Sequence, residues 1–317
     1  MSDAELDGLI REVDQLCERR DWDGLVALRD RCREALKRGK QFWPAASFAE
    51  YRLALEAPGP WARLVVADPD AGRFALGPLS EVAASTHAWD DIAGPGPSLA
   101  MAAHERVVRG EDVRGDARVD AAVLDLPLAL EGWEPAYPVA EYKPDEAQFP
   151  TPPVPVLRGP AVRAAAAPMV DDADAVRALV EVAGAWTTES NGRAEAVAVL
   201  GDASGAVAAL GAPRVRLTAL SPGEALAWLA WAGASGGAHG RRRGMALGRF
   251  NAWWALAAVA GLLDDWPVPG AELGAAAEEL RWFWWDAGEP DTGWQLRLAV
   301  EDPEHGRAFA VLAIDAD

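Results

Sequence analysis

Nine prolines stand between Glu134 and Pro168, at positions 135, 138, 144, 150, 152, 153, 155, 160 and 168. Proline has no backbone N–H to donate and holds φ near one value, so neither a helix interior nor a central strand can run through such a stretch. The segment is expected to be an extended connection laid over a surface, with a domain boundary inside it. The full chain has 317 residues, which suits two domains of roughly 100–200 residues each. The expected division is a mainly helical domain over 1–133, the proline-rich connection over 134–168, and an α+β domain over 169–317.

Before the prolines the hydrophobic rhythm is helical. Ser2 with Glu5 three positions later forms a capping-box pattern, and Leu6, Leu9, Ile10, Val13 and Leu16 follow at helical spacing. Trp22, Leu25, Arg29, Cys32 and Leu36 predict a second helix that Gly39 can end, and Pro44 opens a third that Pro58 stops. Trp61–Val66 reads either as a short helix or as the start of a strand. Pro78–Ser85 and Ser98–Val108 read as helices, and the apolar run Val119–Leu130 as a buried segment.

After the prolines the pattern mixes periods. Helices are predicted over Asp171–Ala185, from the capping box Ser221–Glu224 to about Ala232, over Met245–Leu263, and over Ala271–Leu280. Strands are predicted at Ala194–Leu200 and Val215–Leu220, and three more close the chain at Trp282–Asp286, Trp294–Val300 and Ala308–Ile314. The last three are joined by Gly/Pro/Asp-rich turns, which suits an antiparallel meander. The fold class is therefore α+β, a helical N-terminal part followed by a C-terminal α+β domain ending in that meander. Trp282 and Trp284 share one face of their strand and Phe283 and Trp285 the other. Both faces should be covered and these tryptophans buried.

Composition excludes more than it identifies. The formal charge of −19 argues against a nucleic-acid or anionic-membrane partner, because phosphate is bound through clustered Lys and Arg. The longest apolar stretch, Phe250–Leu263, is too short for a membrane span, which needs about 20 residues. The opening Met1–Asp7 is acidic and polar, unlike a signal peptide, so a cytoplasmic location is expected. Cys17 and Cys32 lie on apolar helix positions and read as small buried thiols rather than a disulfide or a metal pair. His87, His104, His239 and His305 are scattered without metal-ligand spacing. No cofactor is expected, since no phosphate-binding, dinucleotide-binding, hydrolase or zinc motif is present.

Three features stand out. The loop Gly236–Gly244 carries His239, Arg241, Arg242 and Arg243 and leads into a helix containing Arg249. Helix-start N–H groups and arginines suit a phosphate or carboxylate. The same arginines can instead be neutralised from within by Glu189, Asp286, Glu289 or Asp291. The polar run Thr187–Arg193, with Glu189, Asn191 and Arg193, reads as a turn feeding a strand or as additional ligand contacts. Nine of the 15 tryptophans fall between Trp228 and Trp294, which reads as a core of large aromatics or as an aromatic-lined pocket.

The runs Gly248–Trp253, Leu280–Trp285 and Ala310–Asp317 resemble an actinobacterial family of unknown function over roughly residues 236–317. That resemblance implies a bacterial, cytoplasmic origin and no activity. The functional expectation is a non-catalytic binding or adaptor protein with a protein partner. The alternative is an enzyme or small-molecule sensor that holds an anionic ligand at the loop and helix start, residues 236–249.

Overall fold

The computed structural model describes residues 3–288 and 293–316. Within it the chain forms two compact units, one made of Met1–Val123 and Val139–Phe149, the other of Leu124–Pro138 and Pro150–Asp317. The proline-rich stretch is thus shared: 139–149 packs with the first unit, while 134–138 and 150–168 pack with the second.

The first unit is helical: α1 (Asp3–Glu18), α2 (Trp22–Lys37), α3 (Trp43–Glu56), α4 (Gly59–Val66), α5 (Leu79–Thr86), α6 (Trp89–Ile92) and α7 (Pro97–Val107). Ser2, the predicted cap of α1, lies outside the described residues. Asp21 caps α2 by accepting the Gly24 N–H at 2.9 Å, which sets the phase that buries Leu25, Leu28 and Cys32. Cys17 and Cys32 are free, and burial pushes the Cys17 thiol up to about 11. Trp61–Val66 resolves as helix. Val119–Leu130 is only partly buried: Leu124, Leu126 and Ala129 face inward, while Asp120 and Asp125 are exposed. A short hairpin, β1 (Glu141–Tyr142) and β2 (Ala147–Gln148), completes the unit. The Tyr142 hydroxyl donates to buried Glu81 at 2.6 Å and the Tyr51 hydroxyl to the Lys143 carbonyl at 2.5 Å. Beside this hairpin a side chain, the Tyr51 hydroxyl, takes up a backbone carbonyl next to Pro144.

The second unit is built on an antiparallel sheet of β3 (Val162–Arg163), β4 (Arg193–Leu200), β5 (Arg214–Leu220), β6 (Arg281–Asp286), β7 (Trp294–Asp302) and β8 (Arg307–Asp315). The spatial order is β3-β5-β6-β7-β8-β4, so β6, β7 and β8 form the expected meander. The segment 150–170 protects both edges. It lies along β5, where Thr218 Oγ1 donates to the Val156 carbonyl at 3.2 Å, and supplies β3. It then reaches the opposite edge, where the Val170 N–H donates to the Ala198 carbonyl at 3.0 Å. These contacts pair part of each edge of the sheet.

Helices α8 (Ala173–Glu181), α9 (Gly184–Thr188), α10 (Ala203–Ala209), α11 (Pro222–Ala234), α12 (Met245–Val259) and α13 (Gly270–Glu279) surround the sheet. The single helix expected over Asp171–Ala185 is two, interrupted at Val182–Ala183. Helix α12 stops four residues short of Leu263, because Gly261 takes φ +72° and its N–H closes back on the Ala258 carbonyl. Helix α10 has no counterpart in the sequence reading. Its seven residues are too few for a periodic signal, although Asp202, which caps it by accepting the Gly205 N–H at 2.8 Å, marks its start.

Helix α10 covers one sheet face, packing Val207 against Val199, Trp285, Ala299 and Ala310. On the other face Trp228 of α11 lies against Trp284, ring centroids 4.4 Å apart. Trp282, Trp284 and Trp285 are all buried, as strand alternation between two covered faces requires. Helix α12 packs on α11 at close range: a Cβ on Gly248 would sit 2.1 Å from the Ala230 carbonyl oxygen.

Candidate functional site

The capping box at Ser221 is complete, with Glu224 Oε2 accepting the Ser221 N–H at 2.7 Å and Ser221 Oγ accepting the Glu224 N–H at 3.2 Å. It fixes where α11 begins. Trp228 and Trp231, three residues apart, then fall on adjacent turns of one face. Strand alternation brings two more rings to them. Trp284 pairs in register with Leu298, and Trp294 lies on the same face of β7 as Leu298, four residues on. The rings form a chain: Trp284 to Trp228 at 4.4 Å, Trp228 to Trp231 edge-on at 5.3 Å, and Trp231 stacked on Trp294 at 5.1 Å.

These four tryptophans line a cavity of about 420 Å³. Gln295, Gly293 and Ala238 also contribute, and Thr151 and Val154 of the proline-rich segment complete the lining. Trp231 is buried, yet its indole Nε1 has no hydrogen-bond partner among the described residues. Other buried tryptophans here are satisfied: Trp186 donates to Ser235 Oγ at 2.7 Å, and Trp285 to the Leu298 carbonyl at 3.2 Å.

Behind Ala238 lies Asp315, the register partner of Trp294. It is 1 % exposed. Its Oδ2 accepts the Ala238 N–H at 2.6 Å, while its Oδ1 is buried with no hydrogen-bond partner among the described residues. Gly237, at φ +74°, makes this approach possible, since a Cβ there would stand 2.0 Å from Asp315 Oδ2.

The residues singled out in the sequence separate into two groups. The turn at 189–193 and the loop at 236–243 meet. Glu189 pairs with Arg243 at 2.5 Å, and Ser190 Oγ accepts the His239 N–H at 3.1 Å. His239, Arg241, Asn191 and Arg193 are exposed and Arg242 is half-buried. Arg193 opens β4 opposite Ile314. Arg241, Arg242, Met245 and Ala246 each have interaction partners within the protein. The loop glycines serve internal packing: a Cβ on Gly236 would lie 2.3 Å from the Gly240 carbonyl carbon, and one on Gly240 2.2 Å from the Gly236 oxygen. Thr187 and Thr188 turn their hydroxyls back to the Gly184 carbonyl. Asp286, one of the acids weighed against the loop, binds Arg216 through two hydrogen bonds instead. Glu289 and Asp291 lie outside the described residues.

Arg249 does not join this loop. Its side chain is 1 % exposed, and it donates to both carboxylate oxygens of Glu134 at 2.7 Å and to the carbonyls of Pro127 and Ala129. Trp253 Nε1, at 3.0 Å, and the Tyr137 hydroxyl, at 2.6 Å, donate to the same carboxylate. Burial alone would raise the Glu134 carboxyl, but Arg249 outweighs it and, with Tyr137 and the Glu131 N–H, holds the group below its ordinary value of 4.5. This knot fastens 124–138 to α12.

Among the described residues no group of three or more His, Cys, Asp or Glu is placed to hold a metal ion. No helix there is long and apolar enough to cross a membrane. The pocket residues Trp228, Trp231, Trp284 and Trp294 were visible in the sequence only as tryptophan density. Asp315 carried no signal, because its neighbours come from three separate segments.

The chain matches a protein family described as "Family of unknown function (DUF6183)" over residues 7–317. The likeness therefore extends over nearly the whole sequence, well beyond the C-terminal quarter first singled out. No curated protein and no solved structure matches it.

Proposed function

The chain belongs to the family of unknown function DUF6183, and we propose that it is a non-catalytic binding protein whose recognition site is the tryptophan-lined pocket of the second unit. The observation that carries this reading is the cavity of about 420 Å³. Its volume falls in the range of small-molecule sites, roughly 300–1,000 Å³, which are mostly apolar with few polar groups. A concave space of this size walled by four large rings suits recognition of a small molecule. Among the described residues the lining side chains include no His, Cys, Lys or carboxylate. Among the described residues Thr151 has no base beside it in the wall, which favours binding over nucleophilic catalysis.

The test is a ligand-observed NMR screen of small neutral, cationic and anionic fragments against the full chain and its Trp294→Ala variant. Trp294 is half-buried at the end of a strand, so its removal leaves the core rings in place. The expected result is saturable binding by a subset of fragments that the variant loses. Binding that survives the variant, or no saturable binding at all, overturns the reading. Anionic fragments whose binding is lost instead in an Arg241→Ala/Arg243→Ala double variant would move the site to the loop 236–243, the sensor alternative.

A further inference from the structure

We propose that the tryptophan pocket takes a small organic cation, a quaternary or tertiary ammonium, with Asp315 as its counter-charge. This rests on the pocket being a binding site and names what it binds.

The first observation is the wall. The faces of Trp228, Trp231, Trp284 and Trp294 are electron-rich, and tryptophan is the strongest cation–π partner among the side chains. Four electron-rich rings bordering one cavity suit an alkylated ammonium, which has no N–H groups of its own to satisfy. Among the described residues no lining side chain is cationic, so an anionic ligand would find no charge partner among them.

The second observation is independent of the rings. Asp315 is 1 % exposed, and among the described residues the one hydrogen bond its side chain makes is from the Ala238 N–H at 2.6 Å. Oδ1 is left without a partner among the described residues. A buried carboxylate is ordinarily paired or fully hydrogen-bonded, and each exception calls for an explanation. Arg243, Arg249 and Arg307 are committed elsewhere, to Glu189, to Glu134, and to Asp172 and Asp302. Asp315 is held against the backbone of Ala238 and is the register partner of Trp294, both of which line the cavity. Its negative charge therefore stands one residue's thickness behind the wall, where the low dielectric preserves the attraction. The net charge of −19 draws cations toward the chain as a whole.

The test compares two probes of the same shape. Choline carries the charge, and 3,3-dimethylbutan-1-ol replaces its nitrogen with carbon. Binding of each to the full-length protein is followed by tryptophan fluorescence and by isothermal titration calorimetry. Choline should bind saturably and about tenfold more tightly than the alcohol, the scale of a desolvated cation–π contact. Asp315→Asn keeps an acceptor for Ala238 while removing the charge, and should cut that preference severalfold without changing alcohol binding. Trp294→Leu should weaken both probes. Equal binding of the two probes by the unaltered protein overturns the cation proposal, and needs no variant to be read. If both are then lost in Trp294→Leu, the pocket remains a binding site of another chemistry. If Asp315→Asn leaves the choline preference intact, the counter-charge assignment fails. If neither probe binds, the cation proposal fails, and the fragment screen decides the pocket separately.

Discussion

Two clusters in the second unit use the same materials to opposite ends. The knot of Glu134, Arg249, Trp253 and Tyr137 brings one charge of each sign and two aromatic rings together, and every polar group named there has a partner: Arg249 reaches Glu134 and two carbonyls, and Glu134 receives Arg249, Tyr137, Trp253 and the Glu131 N–H. The pocket cluster of Trp228, Trp231, Trp284, Trp294 and Asp315 has more rings and a charge of its own, yet among the described residues leaves an indole N–H and a carboxylate oxygen without hydrogen-bond partners beside an open cavity. Burial is common to both, so burial alone does not separate structure from function. What separates them is whether the buried polar groups are satisfied and whether there is room for anything else.

The comparison is sharpest in its largest expected effect. Arg249→Leu leaves Glu134 buried without its cation and should lower the unfolding free energy by about 3–5 kcal/mol, read by urea denaturation. A loss below about 1 kcal/mol would mean that the knot is no tighter than a surface pair. Next come the two tryptophans. Trp253→Ala, in the filled knot, should cost about 3–5 kcal/mol. Trp294→Ala should cost clearly less, because the ring is half-buried and borders space. Equal costs would erase the distinction between filled and open regions.

The pH response sharpens it further. Glu134 is held below its ordinary 4.5 in the folded protein. A depressed carboxyl contributes stability that is fully present above the unfolded value and is lost as the pH falls through the folded one. Acid unfolding below about pH 4.5 should therefore flatten in Glu134→Gln, although the variant is less stable at pH 7. An unchanged acid slope would assign the acid sensitivity to other carboxylates, such as Asp286 and Asp302, which Arg216 and Arg307 hold low. The smallest effect is expected at Asp315. With no cation to lose, Asp315→Asn should change stability by less than about 1 kcal/mol without ligand. A loss as large as that of Arg249→Leu would make Asp315 part of the frame.

The four-residue α6 is too short for a periodic pattern and went unread, whereas helix α2 was readable because its apolar positions, Trp22, Leu25 and Cys32 among them, recur at helical spacing within a few residues of one another. The strand Arg281–Asp286 was readable for the same reason: alternation alone requires cover for Trp284 on one face and Trp285 on the other. Helix α10 was missed because seven residues with a central Gly205 hold too little periodicity. The proline-rich stretch was legible as extended, but its division between the two units was not. The prolines state what the backbone cannot do and are silent on which hydroxyls and guanidiniums will hold it.

The candidate site was legible only in part. Tryptophan density pointed to an aromatic core or pocket without deciding between them, and the cluster of arginines drew attention to a loop whose Arg249 belongs elsewhere. Sequence by itself determined the α+β class, the helical first part, the closing meander and the burial of Trp282, Trp284 and Trp285, because caps, turns and periodicities act over a few residues. Tertiary structure alone decided that Arg249 spans 115 positions to Glu134 and that the Ala238 N–H spans 77 to reach Asp315. It also decided that the rings of α11, β6 and β7, in contact with one another, border a cavity. The partner of a buried charge, and the volume left between rings, depend on which surfaces the whole chain brings together, and no local pattern encodes that.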